Sequence, residues 1–159
     1  MMNRLSRPTV LIADDSPDDC LIVMRAWEES RLSWDIRFVH DGREVLDYLL
    51  KRRKYAFHTD LPEPNLVMLD LNMPRKDGRQ VLLEIQAHPF LKRIPVVILT
   101  DSTSVQDVLV SDSYGAMDFI NKPGTFDEYV RLIKSLGQTV QHQIGKITRG
   151  HLVPHLLPA

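Results

Sequence analysis

Short apolar runs alternate with amphipathic stretches along the 159-residue chain. Three of these runs contain no polar residue: 10–13, 66–69 and 96–99. Such runs are typical of parallel strands that are covered on both faces. A fourth strand is predicted where Trp34, Ile36 and Phe38 alternate with charged residues, a pattern that indicates a strand at a sheet edge. Residues 117–120 are a weaker fifth candidate.

Helical patterns fill the gaps between these strands. The first begins at Ser16, an N-cap residue that is followed by Pro17 and by acids in the first turn. Four further helices are predicted from apolar spacing: 45–50, 81–85, 105–109 and 126–140. Five strand–helix alternations predict an α/β domain with a doubly wound, five-stranded parallel sheet. Its simplest form is a flavodoxin-like (βα)5 arrangement with strand order 2-1-3-4-5.

Two segments fall outside the alternating pattern. Residues 51–65 form a long connection whose basic start favours either a helix C-terminus or a patch that binds a partner. After Val140 the chain mixes Gly, Pro and basic residues with scattered apolar ones. We expect one domain over residues 8–142 and a C-terminal extension over 143–159. This extension is either a frayed terminus or a contact for a partner or a second copy, through Ile144, Ile147, Leu152 and Val153.

Composition narrows the classes of function. The 20 Lys and Arg residues against 21 Asp and Glu residues give a net charge of −1, which argues against general nucleic-acid binding. The one cysteine, Cys20, cannot form an intramolecular disulfide, so a reducing compartment is favoured. The sequence has no apolar run of the roughly 18 residues needed to span a membrane, and its start lacks an apolar signal core. We therefore expect a cytoplasmic protein.

Polar side chains follow the carboxyl ends of the predicted strands. Asp14 and Asp15 follow the first strand, Asp70 the third, Thr100 ends the fourth, and Lys122 follows the fifth. Ligands of open parallel sheets bind at this edge, near the point where the strand order reverses. We therefore expect three carboxylates, one hydroxyl and one ammonium to converge on one site.

Carboxylates at such a site need compensation. Two unit charges about 4 Å apart repel by roughly 4 kcal/mol at an effective dielectric constant of about 20. Hard oxygen ligands suit Mg²⁺, which keeps several waters and leaves room for phosphate oxygens. An Asp carboxylate can also act as a nucleophile and form an aspartyl-phosphate. Thr100 and Lys122 would then donate to the phosphoryl oxygens.

Four motifs in a fixed order identify a family. They are LIADDSPDD, LVMLDLNMPRKDG, VVILTDS and GAMDFINKPG. Asp70 and Thr100 are 30 residues apart, and Thr100 and Lys122 are 22 apart. Over about residues 8–138 the chain resembles the receiver domain of the response regulators of two-component signalling.

The resemblance implies a role for each acidic residue. Asp70 would accept a phosphoryl group from the phosphohistidine of a sensor histidine kinase. Asp15 and Asp70 would bind Mg²⁺ directly, Asp14 would assist through water, and the Asn72 main-chain carbonyl would complete the metal shell. The acids of the first helix, Asp18 and Asp19, are expected only to complement the helix dipole.

The resemblance also implies a switch. Lys122 would pair with the phosphate, and Thr100 would move its hydroxyl to a phosphoryl oxygen. Phe119 would turn into the space that Thr100 leaves, which repacks the face formed by the fourth and fifth helices.

Pro123 would follow a cis peptide bond. His142 is expected to be a solvated residue at the helix end.

One residue departs from the family pattern, and the long connection and the tail point to a subgroup of the family. The position after the family threonine is normally small, but here it is Asp101, whose charge opposes an incoming phosphoryl group. The long connection and the tail resemble single-domain regulators that partner phytochrome-type histidine kinases. Because the sequence shows no output domain, we expect action through a homodimer, a partner or a downstream phosphorelay protein, and not as a conventional enzyme.

Other readings of the strand-end aspartate stay open. Mg²⁺-dependent phosphatases of the haloacid dehalogenase type use such an aspartate, but they need a second aspartate where this chain has Asn72. A degenerate receiver that serves only as a binding module is a further alternative, which Asp101 favours and the complete acidic set opposes. The glycines form neither a G-x-G-x-x-G pattern nor a P-loop.

Overall fold

The computed structural model of the chain describes residues 7–156, with side chains described as far as Lys146. Within this range five strands alternate with five α-helices, as the sequence pattern predicts. The strands are β1 (Thr9–Ala13), β2 (Asp35–Val39), β3 (Leu66–Leu69), β4 (Val96–Thr100) and β5 (Asp118–Asn121). The helices are α1 (Pro17–Ser30), α2 (Gly42–Leu49), α3 (Gly78–Ala87), α4 (Val105–Ser113) and α5 (Phe126–Leu156). Two short 3₁₀ turns occupy Arg53–Tyr55 and Leu91–Arg93.

All five strands are parallel and lie in the order β2-β1-β3-β4-β5, which confirms the predicted topology. The three central strands are buried along their whole length, which explains their unbroken apolar runs. Strand β2 lies at one edge of the sheet and is only partly buried, as its alternating sequence predicts.

Two apolar cores cover the two faces of the sheet. Helices α2 and α3 pack on one face, where Leu46, Val81 and Ile85 meet β1, β3 and β4. Helices α1 and α5 pack on the other face through Trp27 and Ile133, among other buried side chains. The two cores cover the faces of the sheet, and the polar side chains were predicted to meet at its edge, at the carboxyl ends of the strands.

Helix α4 contributes little to either core. Ser111 is its one buried residue, and the Ser111 hydroxyl has no hydrogen-bond partner among the described residues. The apolar side chains from which the helix was predicted face solvent instead, with Val105 72% and Leu109 64% exposed. The helix was therefore predicted correctly, but its apolar face does not pack on the sheet.

Helix α5 is longer than its sequence pattern predicts. It continues without a break from Phe126 to Leu156, so His142 lies inside the helix and not at its end, although it is exposed as expected. Ile144 packs against the α1–α5 core. The side chains of Ile147, Leu152 and Val153 lie outside the described part, as do residues 1–6 and 157–159.

The peptide bond before Pro123 is trans, like every other peptide bond of the described residues, so the expected cis bond is a correction. An X-Pro bond retains a trans preference of about 0.5–1 kcal/mol. The Lys122 N–H donates to the Thr100 carbonyl at 2.9 Å and continues the β4–β5 ladder.

Two glycines permit close backbone approaches beside the end of β3. A Cβ at Gly78 would overlap the Asp70 carbonyl oxygen, and a Cβ at Gly42 would overlap the Lys76 carbonyl oxygen. The Gly78 N–H also donates to the Leu71 carbonyl at 2.9 Å. The start of α3 is thereby held directly against the backbone of Asp70.

Candidate functional site

The backbone ladder extends one residue beyond β1 and β3 and fixes the two aspartates that follow them. The Asp14 N–H donates to the Val39 carbonyl at 3.1 Å, and the Asp70 N–H donates to the Ala13 carbonyl at 3.0 Å. Asp14 and Asp70 are buried, with 4% and 6% of their surface exposed. Their side chains therefore leave a rigid strand end and point into a confined site.

The structure brings three predicted carboxylates together. Asp14, Asp15 and Asp70 each place an oxygen within 4.8 Å of the others, and Asp15 is the exposed member. Asp14 Oδ1 accepts from the Ser16 N–H at 2.9 Å, and Asp70 Oδ1 accepts from the Asn72 N–H at 3.3 Å. The Asn72 N–H thus contacts Asp70, and the role of the Asn72 carbonyl in the metal shell stays a prediction.

Lys122 lies at the centre of this group. Its Nζ is 2.9 Å from Asp14 Oδ2, 3.0 Å from Asp70 Oδ2 and 2.6 Å from Asp19 Oδ2, and only 7% of its side chain is exposed. Burial opposes the charge, but the hydrogen bonds to the three carboxylates outweigh it and raise the pKa of Lys122 well above its ordinary value. The ammonium donates hydrogen bonds to Asp19 and Asp70 and forms a close ion pair with Asp14.

Asp19 is the contact that the sequence analysis missed. It was interpreted only as a helix-dipole acid, and it does lie in the first turn of α1. The four-residue spacing of Asp15 and Asp19 gives no helix-face signal, because Asp15 precedes the N-cap Ser16 and lies outside the helix.

The site carries more negative than positive charge. Four carboxylates, those of Asp14, Asp19, Asp70 and Asp101, pair with Lys122, and Asp15 clusters with Asp14 and Asp70, so these six groups carry a formal charge of −4. Burial is the main cause that raises the pKa of Asp14, and the neighbouring Asp70 charge adds to it, against the hydrogen bonds from Ser16 and Lys122. Clustered carboxylate oxygens of this kind fit a hard divalent cation such as Mg²⁺.

Asp101 lies at the mouth of the site. Its side chain is 80% exposed, and its Oδ2 is 3.8 Å from Lys122 Nζ. Asp19, Asp101 and Lys122 line a cavity of about 240 Å³. Asp101, the residue that departs from the family pattern, therefore adds a carboxylate on the solvent side of Lys122 and not among its buried neighbours.

Thr100 and Phe119 occupy the neighbouring strands. Thr100 is fully buried, and its hydroxyl accepts from the Ser102 N–H at 3.3 Å. The β4–β5 register pairs Ile98 with Phe119 and Thr100 with Asn121. Phe119 is partly buried against the core that α2 and α3 cover. Neither side chain belongs to the acidic group itself.

A polar network ties the segment after Thr100 to α3 and α4. Arg79 of α3 donates two hydrogen bonds to the Asp107 carboxylate of α4, at 2.7 and 2.6 Å. The same carboxylate accepts from the Ser102 hydroxyl at 2.5 Å, and Asn121 Nδ2 donates to the Ser102 carbonyl. The Arg79 and Ser102 hydrogen bonds lower the pKa of Asp107 below its ordinary value.

Comparison with known proteins agrees with this geometry. Residues 10–134 match the family described as response regulator receiver domain. Response regulator Rcp1 of Synechocystis sp. is 33% identical over 127 residues, which cover 80% of this chain and 84% of Rcp1. The Mn²⁺-bound structure of Rcp1 superposes with a TM-score of 0.73 at 32% identity, over 81% of this chain and 91% of that one.

Two further solved structures are similar over most of the chain. The phosphorylated cyanobacterial phytochrome response regulator RcpA gives a TM-score of 0.75 at 32% identity and covers 82% of this chain and 91% of its own. Response regulator RPA3017, in red light signalling of R. palustris, gives a TM-score of 0.75 at 38% identity and covers 81% of this chain and 90% of its own. No helix within residues 7–156 has the length and apolar character required to cross a bilayer.

Receiver domains bind Mg²⁺ through acidic residues and are phosphorylated on an aspartate, and the cluster of Asp14, Asp15 and Asp70 supplies such residues here. The strand order, the strand-end carboxylates, Lys122 and the match over residues 10–134 lead to one conclusion. The chain belongs to the response regulator receiver domain family.

Proposed function

We propose that the protein is a single-domain response regulator that accepts a phosphoryl group on Asp70 from the phosphohistidine of a sensor histidine kinase. The observation that carries this proposal is the position of Asp70 Oδ2, 3.0 Å from Lys122 Nζ and within 4.8 Å of oxygens of Asp14 and Asp15. The nucleophile thus lies between an ammonium and a candidate metal site.

The phosphoryl transfer is a displacement at phosphorus in which Asp70 is the nucleophile. An Asp70 carboxylate oxygen attacks phosphorus, a P–O bond forms, the P–N bond to the donor imidazole breaks, and the imidazole keeps the electron pair and takes up a proton. Lys122 neutralises the phosphoryl oxygens. Asp15 and Asp70 would bind Mg²⁺ directly, with Asp14 through water and the Asn72 carbonyl. When bound, the metal neutralises charge that develops on the phosphoryl group.

Phosphorylation of Asp70 then alters the packing of α4 through Thr100 and Phe119. A phosphoryl oxygen offers the Thr100 hydroxyl a stronger, charged acceptor, so the hydroxyl leaves its contact with the Ser102 N–H and Phe119 fills the vacated space. Helix α4 is suited to respond because it buries only Ser111 among its residues. Its exposed Val105 and Leu109 supply an apolar surface for a partner or a second copy.

The relatives support a narrower assignment of partners. RcpA is named as a phytochrome response regulator, and RPA3017 is assigned to red light signalling. We propose a phytochrome-type histidine kinase as the phosphoryl donor, and a homodimer or a downstream phosphorelay protein as the recipient of the signal. The receiver domain covers 8–142 in this proposal, and residues 143–159 form a C-terminal extension that contacts a second copy or a partner. The protein acts in the cytoplasm as a signalling module without a separate turnover product.

Incubation with acetyl phosphate and Mg²⁺, followed by intact-mass analysis, tests the chemistry. The wild type should gain roughly 80 Da, as expected for one phosphoryl group. Asp70→Asn should gain nothing, whereas Asp60→Asn, which alters an exposed aspartate of the long connection, should react like the wild type. Equal modification of Asp70→Asn would disprove the assignment, and sustained release of phosphate from a phosphomonoester would point to a phosphatase instead.

The assembly is tested on the same samples. Light scattering before and after phosphorylation should show a shift in the monomer–dimer balance, and Leu109→Ser should abolish that shift while leaving the mass gain intact. Leu83→Ser provides a control, because Leu83 is a 47% exposed apolar residue on α3. An unchanged mass in solution for both states would remove the dimer from the proposal.

A further inference from the structure

A cationic cavity lies beside α2, the connection that follows it and α3. Its volume is about 830 Å³, within the roughly 300–1,000 Å³ that is typical of small-molecule sites. None of the acidic-site residues lines it. Five of its lining side chains are cationic: Arg43, Arg52, Arg53, Arg75 and Lys76. With two carboxylates, the lining carries a formal charge of +3, in a chain whose net charge is −1.

Not all of these cations are neutralised by neighbours. Arg75 pairs with Asp41 at 2.5 Å, Lys76 with Glu84 at 2.7 Å, and Arg53 with Asp47 at 3.5 Å. Arg43 and Arg52, in contrast, form no ion pair with any carboxylate in the described part of the chain. Two guanidinium groups thus remain for an anion, and the planar fork of a guanidinium matches two phosphate oxygens.

A second, more apolar cavity adjoins the first. Its volume is about 380 Å³, and it shares Leu50, His88 and Leu91 with the cationic cavity. Phe90 lines it and is 65% exposed. The Phe90 ring centroid is 6.0 Å from that of His88 and 5.7 Å from the Arg93 guanidinium. An exposed aromatic ring next to a cation is a suitable surface for stacking a planar base.

We propose that the two cavities form one binding site for a nucleoside triphosphate. The phosphates contact Arg43 and Arg52, and the base lies against Phe90 and the shared leucines. A site of this kind needs no glycine-rich loop, because guanidinium groups and not backbone amides meet the phosphates. The inference is independent of phosphoryl transfer, because none of its residues belongs to the acidic site.

Calorimetric titration of the full chain carrying Asp70→Asn, with EDTA present, tests the site without phosphorylation or divalent metal. ATP and GTP should each titrate a single site. Arg43→Gln combined with Arg52→Gln should weaken binding at least about tenfold, the effect of losing one or more charge-assisted contacts. Arg131→Gln, an exposed arginine of α5, should leave the affinity unchanged. Thermal unfolding of each variant verifies that it is folded.

The base contact is tested separately with inorganic tripolyphosphate. Phe90→Ala should weaken ATP several-fold and leave tripolyphosphate unaffected. Equal affinity of ATP and tripolyphosphate, with no effect of Phe90→Ala, would overturn the nucleotide assignment in favour of a bare polyphosphate. The whole proposal fails if neither nucleotide binds at millimolar concentration, or if the double arginine variant binds like the Arg131 control.

Discussion

Asp19 Oδ2 lies 2.6 Å from Lys122 Nζ, whereas Asp70 Oδ2 lies 3.0 Å from the same nitrogen. Asp14 Oδ2 forms a further ion pair with this nitrogen at 2.9 Å. A phosphoryl oxygen that approaches Lys122 therefore competes with three carboxylates for its ammonium group. Asp19 is the one expected to give way, because it is the most exposed of the three and it is not among the proposed metal ligands.

Replacing Asp19 by Asn should accelerate phosphorylation of Asp70. The amide accepts only a neutral hydrogen bond, which is weaker than the charge-assisted one, so Lys122 turns to the phosphoryl group more readily. We expect a rate with acetyl phosphate that is about two- to tenfold higher, corresponding to up to roughly 1.4 kcal/mol. Intact-mass time courses measure it, with Asp18→Asn of the same helical turn as the control. A rate equal to or below the wild-type rate would show that Asp19 does not compete for Lys122.

Replacing Asp101 by Ala should change both the gain and the loss of the phosphoryl group. The Asp101 carboxylate is 3.8 Å from Lys122 Nζ and repels an anionic donor, but its side chain is 80% exposed and the repulsion is screened. We expect phosphorylation that is faster by about two- to fivefold, the scale of an exposed charge interaction, together with an altered lifetime of the product.

Low salt should enlarge this effect and high salt should reduce it, because the interaction is with solvent-exposed charge. Asp112→Ala on α4 removes an exposed carboxylate that does not line the mouth of the site and serves as the control. Identical phosphorylation and decay rates for Asp101→Ala and the wild type would assign Asp101 no part in the chemistry.

The sequence predicts the positions that the backbone alone determines. Asp14 and Asp70 follow central strands, so their convergence with Lys122 depends only on strand order and on which residue ends each strand. The Asp19 contact depends instead on the direction of one side chain at the start of α1. Hydrophobic spacing also cannot tell a core-facing stripe from an exposed one, which is why the outward face of α4 was not foreseen.

Removing the charge of Asp14 should stabilise the metal-free protein at neutral pH and abolish its response to Mg²⁺. Burial raises the pKa of Asp14 above its ordinary 3.8, so the folded chain holds the proton more tightly than the unfolded chain. The stability that this tighter proton binding contributes is fully present at pH values below the ordinary pKa. It is lost as the pH rises through the raised pKa of the folded state. Asp14→Asn avoids this loss and should gain on the order of 1 kcal/mol at neutral pH in EDTA, the scale of a single stabilising substitution.

Urea unfolding with EDTA or Mg²⁺ separates the two effects. Mg²⁺ should stabilise the wild type by mass action and should stabilise Asp14→Asn much less. In EDTA, the wild type should lose stability relative to the variant as the pH rises from about 4 toward neutrality. Asp112→Asn, outside the site, should respond to Mg²⁺ like the wild type. An Asp14→Asn protein that is less stable in EDTA and equally stabilised by Mg²⁺ would contradict both expectations.

Breaking the Arg79–Asp107 pair should lower the stability of the folded protein. The pH dependence of this effect should be opposite to that expected for Asp14. The Arg79 hydrogen bonds, followed by that of Ser102, lower the pKa of Asp107 below its ordinary 3.8. The stability that the ionised Asp107 contributes is fully present at pH values above the ordinary pKa. It is lost as the pH falls through the lowered pKa of the folded state. Asp107→Asn should cost roughly 1 kcal/mol at neutral pH, because a paired carboxylate with two guanidinium contacts is lost.

The cost should shrink as the pH falls below about 4, where the wild type loses the same interaction. Urea unfolding between neutral and acidic pH measures it, and Glu84→Gln, which removes a more exposed pair with Lys76, should cost less than about 0.5 kcal/mol. Because Asp107 also binds Ser102, whose N–H bonds the Thr100 hydroxyl, the same variant should loosen the segment that the switch must move. Faster amide hydrogen exchange over residues 101–107 would show this loosening, and unchanged exchange with a pH-independent cost would confine Asp107 to a passive surface contact.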